Sequence, residues 1–222
     1  MNLAQWSTRA ARVLAVLGAL AAAGPATAGA PTAPALVVLG DSLSAGYGIR
    51  VEDGWVALLE RRLAAQGYGY RVVNASVSGE TTAGGLARLP RVLDRQQPAI
   101  VVVELGGNDG LRGLPVADLR KNLAAIVARS RAAGARVLLV GTRMPTNYGP
   151  LYTEQYFASF AAVAKSERVP LVPSLLEAVT TDERNFQADH LHPVAAVQPA
   201  LLDTVWRGLA PLLGAPARAR GP

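Results

Sequence analysis

The 222-residue chain contains no cysteine. That absence excludes disulfides, thiolate metal sites and a cysteine nucleophile together. It says little about compartment, because many exported bacterial proteins also lack disulfides. Histidine is nearly as scarce: His190 and His192 are the only two. Any reaction that needs an imidazole must use one of them. Aromatic residues make up 5% of the chain, so the core must be built mostly from Leu, Val and Ala. Neither GxGxxG nor the Walker pattern GxxxxGK[ST] follows the first apolar run, which argues against a nucleotide- or flavin-binding module. No GxSxG elbow occurs, which disfavours an ordinary α/β-hydrolase. No Lys/Arg cluster is interleaved with aromatics, so nucleic-acid binding has no support.

What is present points to one packed domain. Half of the residues are apolar, and the length suits a single core. The net charge is +6, carried largely by arginines spread over several segments. That spread reads first as a solvated basic surface. It also allows transient attraction to an anionic membrane surface.

The first thirty residues have the order of an export signal. Arg9 and Arg12 precede an apolar run from Val13 to Ala23, and Gly24-Pro25 breaks any helix. Ala26-Thr27-Ala28 supplies small residues at the positions a signal peptidase reads. The run is far shorter than the roughly 20 residues a membrane-spanning helix needs. Residues 1–28 are therefore expected to be removed, 29–34 to form a short leader, 35–213 the domain and 214–222 a frayed tail. A periplasmic or secreted location follows.

Short apolar runs then alternate with helical patterns. Strands are expected at 35–39, 70–75, 100–105, 137–140 and 169–172, since unbroken apolar runs suit a buried parallel sheet. Helices are expected after an Asp53 cap, over 82–94, from Pro115 to Gly134, over 153–167 and over 194–213. Pro90 lies inside the second and argues against an unbroken helix, and Pro199 should bend or delay the last. The alternation implies a three-layer α/β/α sandwich with a parallel sheet. In such sheets the working groups lie beyond the carboxyl ends of the strands.

Those ends carry Gly40-Asp41-Ser42, a segment containing Ser76, Ser78 and Gly79, and Gly106-Gly107-Asn108-Asp109. Near the C-terminus comes Asp189-His190-Leu191-His192-Pro193. A serine hydroxyl is a poor nucleophile without a base, and the base needs an acceptor that fixes its tautomer. Asp189 stands three residues before His192, a spacing that a tight turn can close. Ser42, His192 and Asp189 are thus expected as nucleophile, base and orienting acid. Donors for the oxyanion are expected from Asn108 and from the amides of Ser42 and Gly79. Asp109 is expected to tie down its loop. A His-x-His pair could instead ligate a metal; the absence of further His or Cys and the following Pro193 argue against it. The acyl-transfer chemistry requires no metal or cofactor.

The four segments resemble the four sequence blocks of the SGNH (GDSL) hydrolases. Beyond the blocks, VVNAS, SGETTAGGLARLP, VVVELGGNDGLRGL and the Arg143–Gly149 segment are similar to a bacterial periplasmic subgroup of multifunctional thioesterases, lysophospholipases and arylesterases. The likeness covers about residues 35–212. It implies a flavodoxin-like fold with sheet order 2-1-3-4-5 and the same roles for Ser42, Gly79, Asn108, Asp189 and His192. It implies further that Asn147 and Tyr148 line the acyl pocket. Leu111 and Leu114, on an expected mobile loop, could lie against the acyl chain. The expected substrate is a small-molecule or lipid acyl ester or thioester, hydrolysed by a monomer. One departure stands out: the subgroup usually has Gly after the catalytic Asp, where this chain has His190.

Overall fold

The computed structural model describes residues 33–144 and 148–216. The export-signal reading and Asn147 lie outside the described residues. The apolar runs form five parallel strands: β1 (Ala35–Gly40), β2 (Arg71–Asn74), β3 (Ile100–Glu104), β4 (Arg136–Val140) and β5 (Leu171–Val172). Their order is 2-1-3-4-5. β1 pairs with both β2 and β3, with Gly40 opposite Glu104 at its carboxyl end.

Helices cover both faces, because each crossover between parallel strands returns over the sheet. Strand side chains alternate between faces, so a strand covered on both sides must be apolar throughout. β3 meets that demand. Ile100 and Val102 join the core under α2 (Trp55–Ala65) and α7 (Gln198–Leu209), with Trp55, Leu59 and Val205. Val101 and Val103 join the opposite core under α3 (Thr82–Gln96), α5 (Val116–Ala132) and α6 (Pro150–Glu167), with Leu89, Ile126 and Phe160. Among the described residues no helix is long and apolar enough to cross a membrane.

Several boundaries differ from the sequence expectation for identifiable reasons. Asp53 does not cap α2. It ends a short 3₁₀ turn, and Gly54 precedes the helix without a side-chain cap. The buried Gln198 carboxamide, from α7, accepts the Trp55 N–H at 3.0 Å instead. α3 runs through Pro90, which lies on the exposed side, where water can satisfy the carbonyl that the missing N–H leaves free. Pro199 falls in the first turn of α7 and so delays its start. Two short helices, α1 (Ser42–Ala45) and α4 (Gly107–Leu111), carry no periodic signal of their own.

Candidate active site

The sheet delivers Ser42 directly, since β1 ends at Gly40 and α1 begins two residues later. Asp41 caps α1, its Oδ1 accepting the Leu43 N–H at 3.0 Å. The second carboxylate oxygen of Asp41 accepts the Asn108 side-chain amide at 3.2 Å. Asn108 sits in α4, just beyond β3. A side-chain amide has two N–H bonds, so one fixes Asn108 and the other stays available for a ligand.

Gly79 lies in the turn after β2, the strand beside β1. The Val77 N–H donates to Gly40 O at 3.0 Å, which draws this loop to the end of β1. Gly79 has φ +79°, a left-handed conformation that favours glycine and aims its amide. Its carbonyl accepts from Arg112 at 2.9 Å. The buried Asp109 accepts the Thr82 N–H at 2.8 Å and the Thr82 hydroxyl. It thereby ties α4 to the start of α3, the anchoring role expected for it.

His192 arrives on a hairpin between β5 and α7, closed by a bridge between Phe186 and Pro193. Within it, Asp189 Oδ1 accepts backbone N–H groups from Leu191 at 2.9 Å and His192 at 3.0 Å. Asp189 Oδ2 faces His192 Nδ1 at 2.7 Å, and His192 Nε2 lies 2.9 Å from Ser42 Oγ. The three residues read from spacing therefore form one hydrogen-bonded chain. His190 adopts φ +56°, a left-handed conformation that favours glycine. His190 lines a neighbouring cavity and not the cleft at Ser42. Among the described residues no group of three or more His, Asp or Glu is arranged to hold a metal ion.

Residues 38–198 match the model of the GDSL-like lipase/acylhydrolase family. The chain belongs to that family. It is 55% identical over 181 residues to "Esterase TesA" of Pseudomonas aeruginosa, covering 82% of this chain and 90% of the relative. It is 42% identical over 184 residues to "Thioesterase 1/protease 1/lysophospholipase L1" of Escherichia coli, covering 83% and 87%. The structure of the psychrotrophic esterase EstA from Pseudoalteromonas sp., inhibited by monoethylphosphonate, superimposes with a TM-score of 0.77. That match has 37% identity and covers 80% of this chain and 97% of that one. The chain is an ester-hydrolysing enzyme of the GDSL family.

The electrostatics of this GDSL site separate its carboxylates. Hydrogen bonds from the His192 backbone and ring and from the Leu191 backbone lower the Asp189 pKa to about 2. Burial acts oppositely on Asp41, raising it to about 6, against the pull of the Leu43 and Asn108 N–H groups. Glu104, wholly buried at the end of β3, is pushed well above the carboxylate range, first by burial and then by Asp41. Ser44 donates its hydroxyl to Glu104 at 2.6 Å.

The cleft at Ser42 and His192 holds about 40 Å³ and is flanked by Leu43, Leu111, Met144 and Leu191. Leu111 ends α4 and lines the cleft, and Leu114 lies outside its lining. The Tyr148 hydroxyl donates to Leu111 O at 2.9 Å, so Tyr148 supports that wall. Sequence reasoning missed Asp41, Glu104 and Tyr47. Tyr47 is half exposed and its ring centroid lies 4.4 Å from that of His192. Glu104 had a legible signal: a lone carboxylate closing an otherwise apolar strand.

Proposed function

We propose that the enzyme hydrolyses acyl esters and thioesters through an acyl-enzyme on Ser42. The observation that carries this reading is the hydrogen-bonded chain from Asp189 through His192 to Ser42, at 2.7 and 2.9 Å. His192 takes the Ser42 proton as Oγ attacks the acyl carbon, and Asp189, ionised above a pKa of about 2, stabilises the imidazolium. The oxyanion is held by the free N–H of the Asn108 side chain and the amides of Ser42 and Gly79. His192 then protonates the leaving alcohol or thiol. Water, deprotonated by His192, attacks the acyl-enzyme and releases the acid and Ser42. No step calls for a metal or cofactor.

Export through the N-terminal signal, cleaved after Ala28 or Ala30, puts the enzyme in the periplasm or outside the cell. Cytoplasmic acyl-CoA would then rarely reach it, which favours aryl esters, short acyl esters and lysophospholipids as substrates. The lysophospholipase in the name of the Escherichia coli relative supports the last of these. Leu111, backed by Tyr148, lines the acyl side, the basic surface makes transient contact with anionic membrane, and the enzyme acts as a monomer.

Ser42→Ala is expected to abolish p-nitrophenyl ester hydrolysis and fluorophosphonate labelling while far-UV circular dichroism stays unchanged. Retained turnover would refute the acyl-enzyme. Failure of the wild type to label would favour a non-catalytic binding module on this fold.

A further inference from the structure

Gln187 lies outside the Ser42–His192–Asp189 chain yet bonds to both of the segments that form it. Its backbone N–H donates to His192 O at 2.8 Å, and its own carbonyl accepts the His190 N–H at 2.9 Å. These bonds close the hairpin that carries the base. Its side chain reaches the other way. Nε2 donates to the Tyr47 carbonyl at 2.8 Å and to the Pro193 carbonyl at 3.2 Å. Tyr47 stands two residues beyond the helix that Ser42 begins, and its N–H donates to Ser42 O at 3.1 Å. The Tyr47 ring also lies against His192. One carboxamide therefore spans the nucleophile segment and the base hairpin, 140 residues apart in the chain.

A carboxamide suits this place. Two carbonyl oxygens converge on one terminal group, and its –NH₂ offers each of them a proton without burying a charge. Space is reserved for it as well. A Cβ on Gly48 would come within 2.0 Å of the Gln187 side-chain oxygen, so any other residue there would push the amide away. The sheet holds Ser42, but it does not hold His192. Without this cross-link the base hairpin is attached to the nucleophile segment through the reacting hydrogen bond itself and the Tyr47 ring contact.

We propose that Gln187 is a positioning residue, whose side-chain amide fastens the Asp189–His192 hairpin to the segment after Ser42 and so sets the Ser42–His192 separation. The inference rests on Ser42 and His192 being nucleophile and base. Misplacing a reacting group by about 1 Å costs about 10²-fold in rate. Gln187→Glu keeps shape and removes the donor; Gln187→Met keeps bulk and removes both polar atoms.

The test measures p-nitrophenyl acetate turnover and the rate of fluorophosphonate labelling for both variants in the full enzyme. Each is expected to lose about 10- to 100-fold in kcat and in labelling rate, with KM within about threefold of wild type. In a His192→Ala background, Gln187→Met should cost nothing further, because groups acting as a unit are non-additive. Folded Gln187 variants with wild-type kcat would overturn the proposal. So would an equal loss in the His192→Ala background, which would mark a general structural effect. If Ser42→Ala and His192→Ala retain activity, the reading of the site fails instead, whatever Gln187 does.

Discussion

The Asn108 amide is held by the Asp41 carboxylate at 3.2 Å, and that same carboxylate caps the helix that begins with Ser42. One side chain thus aligns the proposed nucleophile and a candidate oxyanion donor. Asp41→Asn is nearly isosteric but has a single acceptor oxygen for two N–H groups. It must release either Leu43 or Asn108. We expect kcat to fall by about 10- to 100-fold with little change in KM, below the loss from deleting a donor outright. Steady-state kinetics on p-nitrophenyl acetate check this.

The same substitution changes the pH dependence of stability. Burial raises Asp41 from 3.8 to about 6. A raised carboxyl binds its proton more tightly in the folded state, so its contribution is fully present below 3.8 and is lost as pH rises through about 6. Between pH 7.5 and 5 the wild type should therefore gain roughly 1–2 kcal/mol of stability relative to Asp41→Asn, about half of what the full fall to pH 3.8 returns. Urea unfolding of both proteins across that range measures it. A difference that is flat with pH would contradict the assignment.

Asp189 behaves in the opposite sense, with its pKa lowered to about 2 by the hydrogen bonds it accepts. Its stabilising contribution is present above 3.8 and is lost as pH falls toward 2. Asp189→Asn removes the charge that supports the imidazolium and can select the wrong His192 tautomer. A loss of about 10³- to 10⁴-fold in kcat is expected near neutral pH. Circular dichroism should remain that of the wild type.

His190 holds a left-handed conformation, φ +56°. For a non-glycine residue that costs about 1 kcal/mol or more. Offset by the greater freedom of an unfolded glycine, His190→Gly is expected to raise stability by about 0.5 kcal/mol. Turnover of p-nitrophenyl acetate should stay within about twofold, because the His190 ring faces the neighbouring cavity. A thermal melt and one kinetic assay decide it.

Gln198 supplies the acceptor that α2 lacks at its own start. Gln198→Ala leaves the buried Trp55 N–H without a partner and is expected to destabilise by about 1–2 kcal/mol. For a domain of this size that lowers Tm by roughly 2–8 °C. Differential scanning calorimetry measures it directly.

Much of the fold was legible because the physics that sets it is local. β1 and β3 are buried on both faces, so their apolar runs announce them, and the alternation of runs with helical patterns gives the layers. Ser42, Asn108, Asp189 and His192 were legible because strand ends and the Asp–His spacing restrict where such chemistry can sit. What escaped was mostly long-range. Gln198 caps a helix 143 residues away, and the segment behind Ser42 is gripped by Gln187 from 140 residues away. Pro90 reads as a breaker until its exposed position is known. Asp41 was hidden because a carboxylate beyond a strand end does not announce its burial, whereas Glu104, closing the apolar run of β3, could have been read.

The two halves of the site stand on unequal footings. Ser42 follows the central, doubly covered β1, whereas His192 rides a hairpin that joins the sheet through no ladder. Segments with few buried contacts open at lower free energy than core strands. On warming, the His192 hairpin should loosen before the Ser42 segment does. The enzyme's activity would then fade below the melting temperature of the sheet and return on cooling, with β1 and β3 amides still protected from solvent exchange throughout.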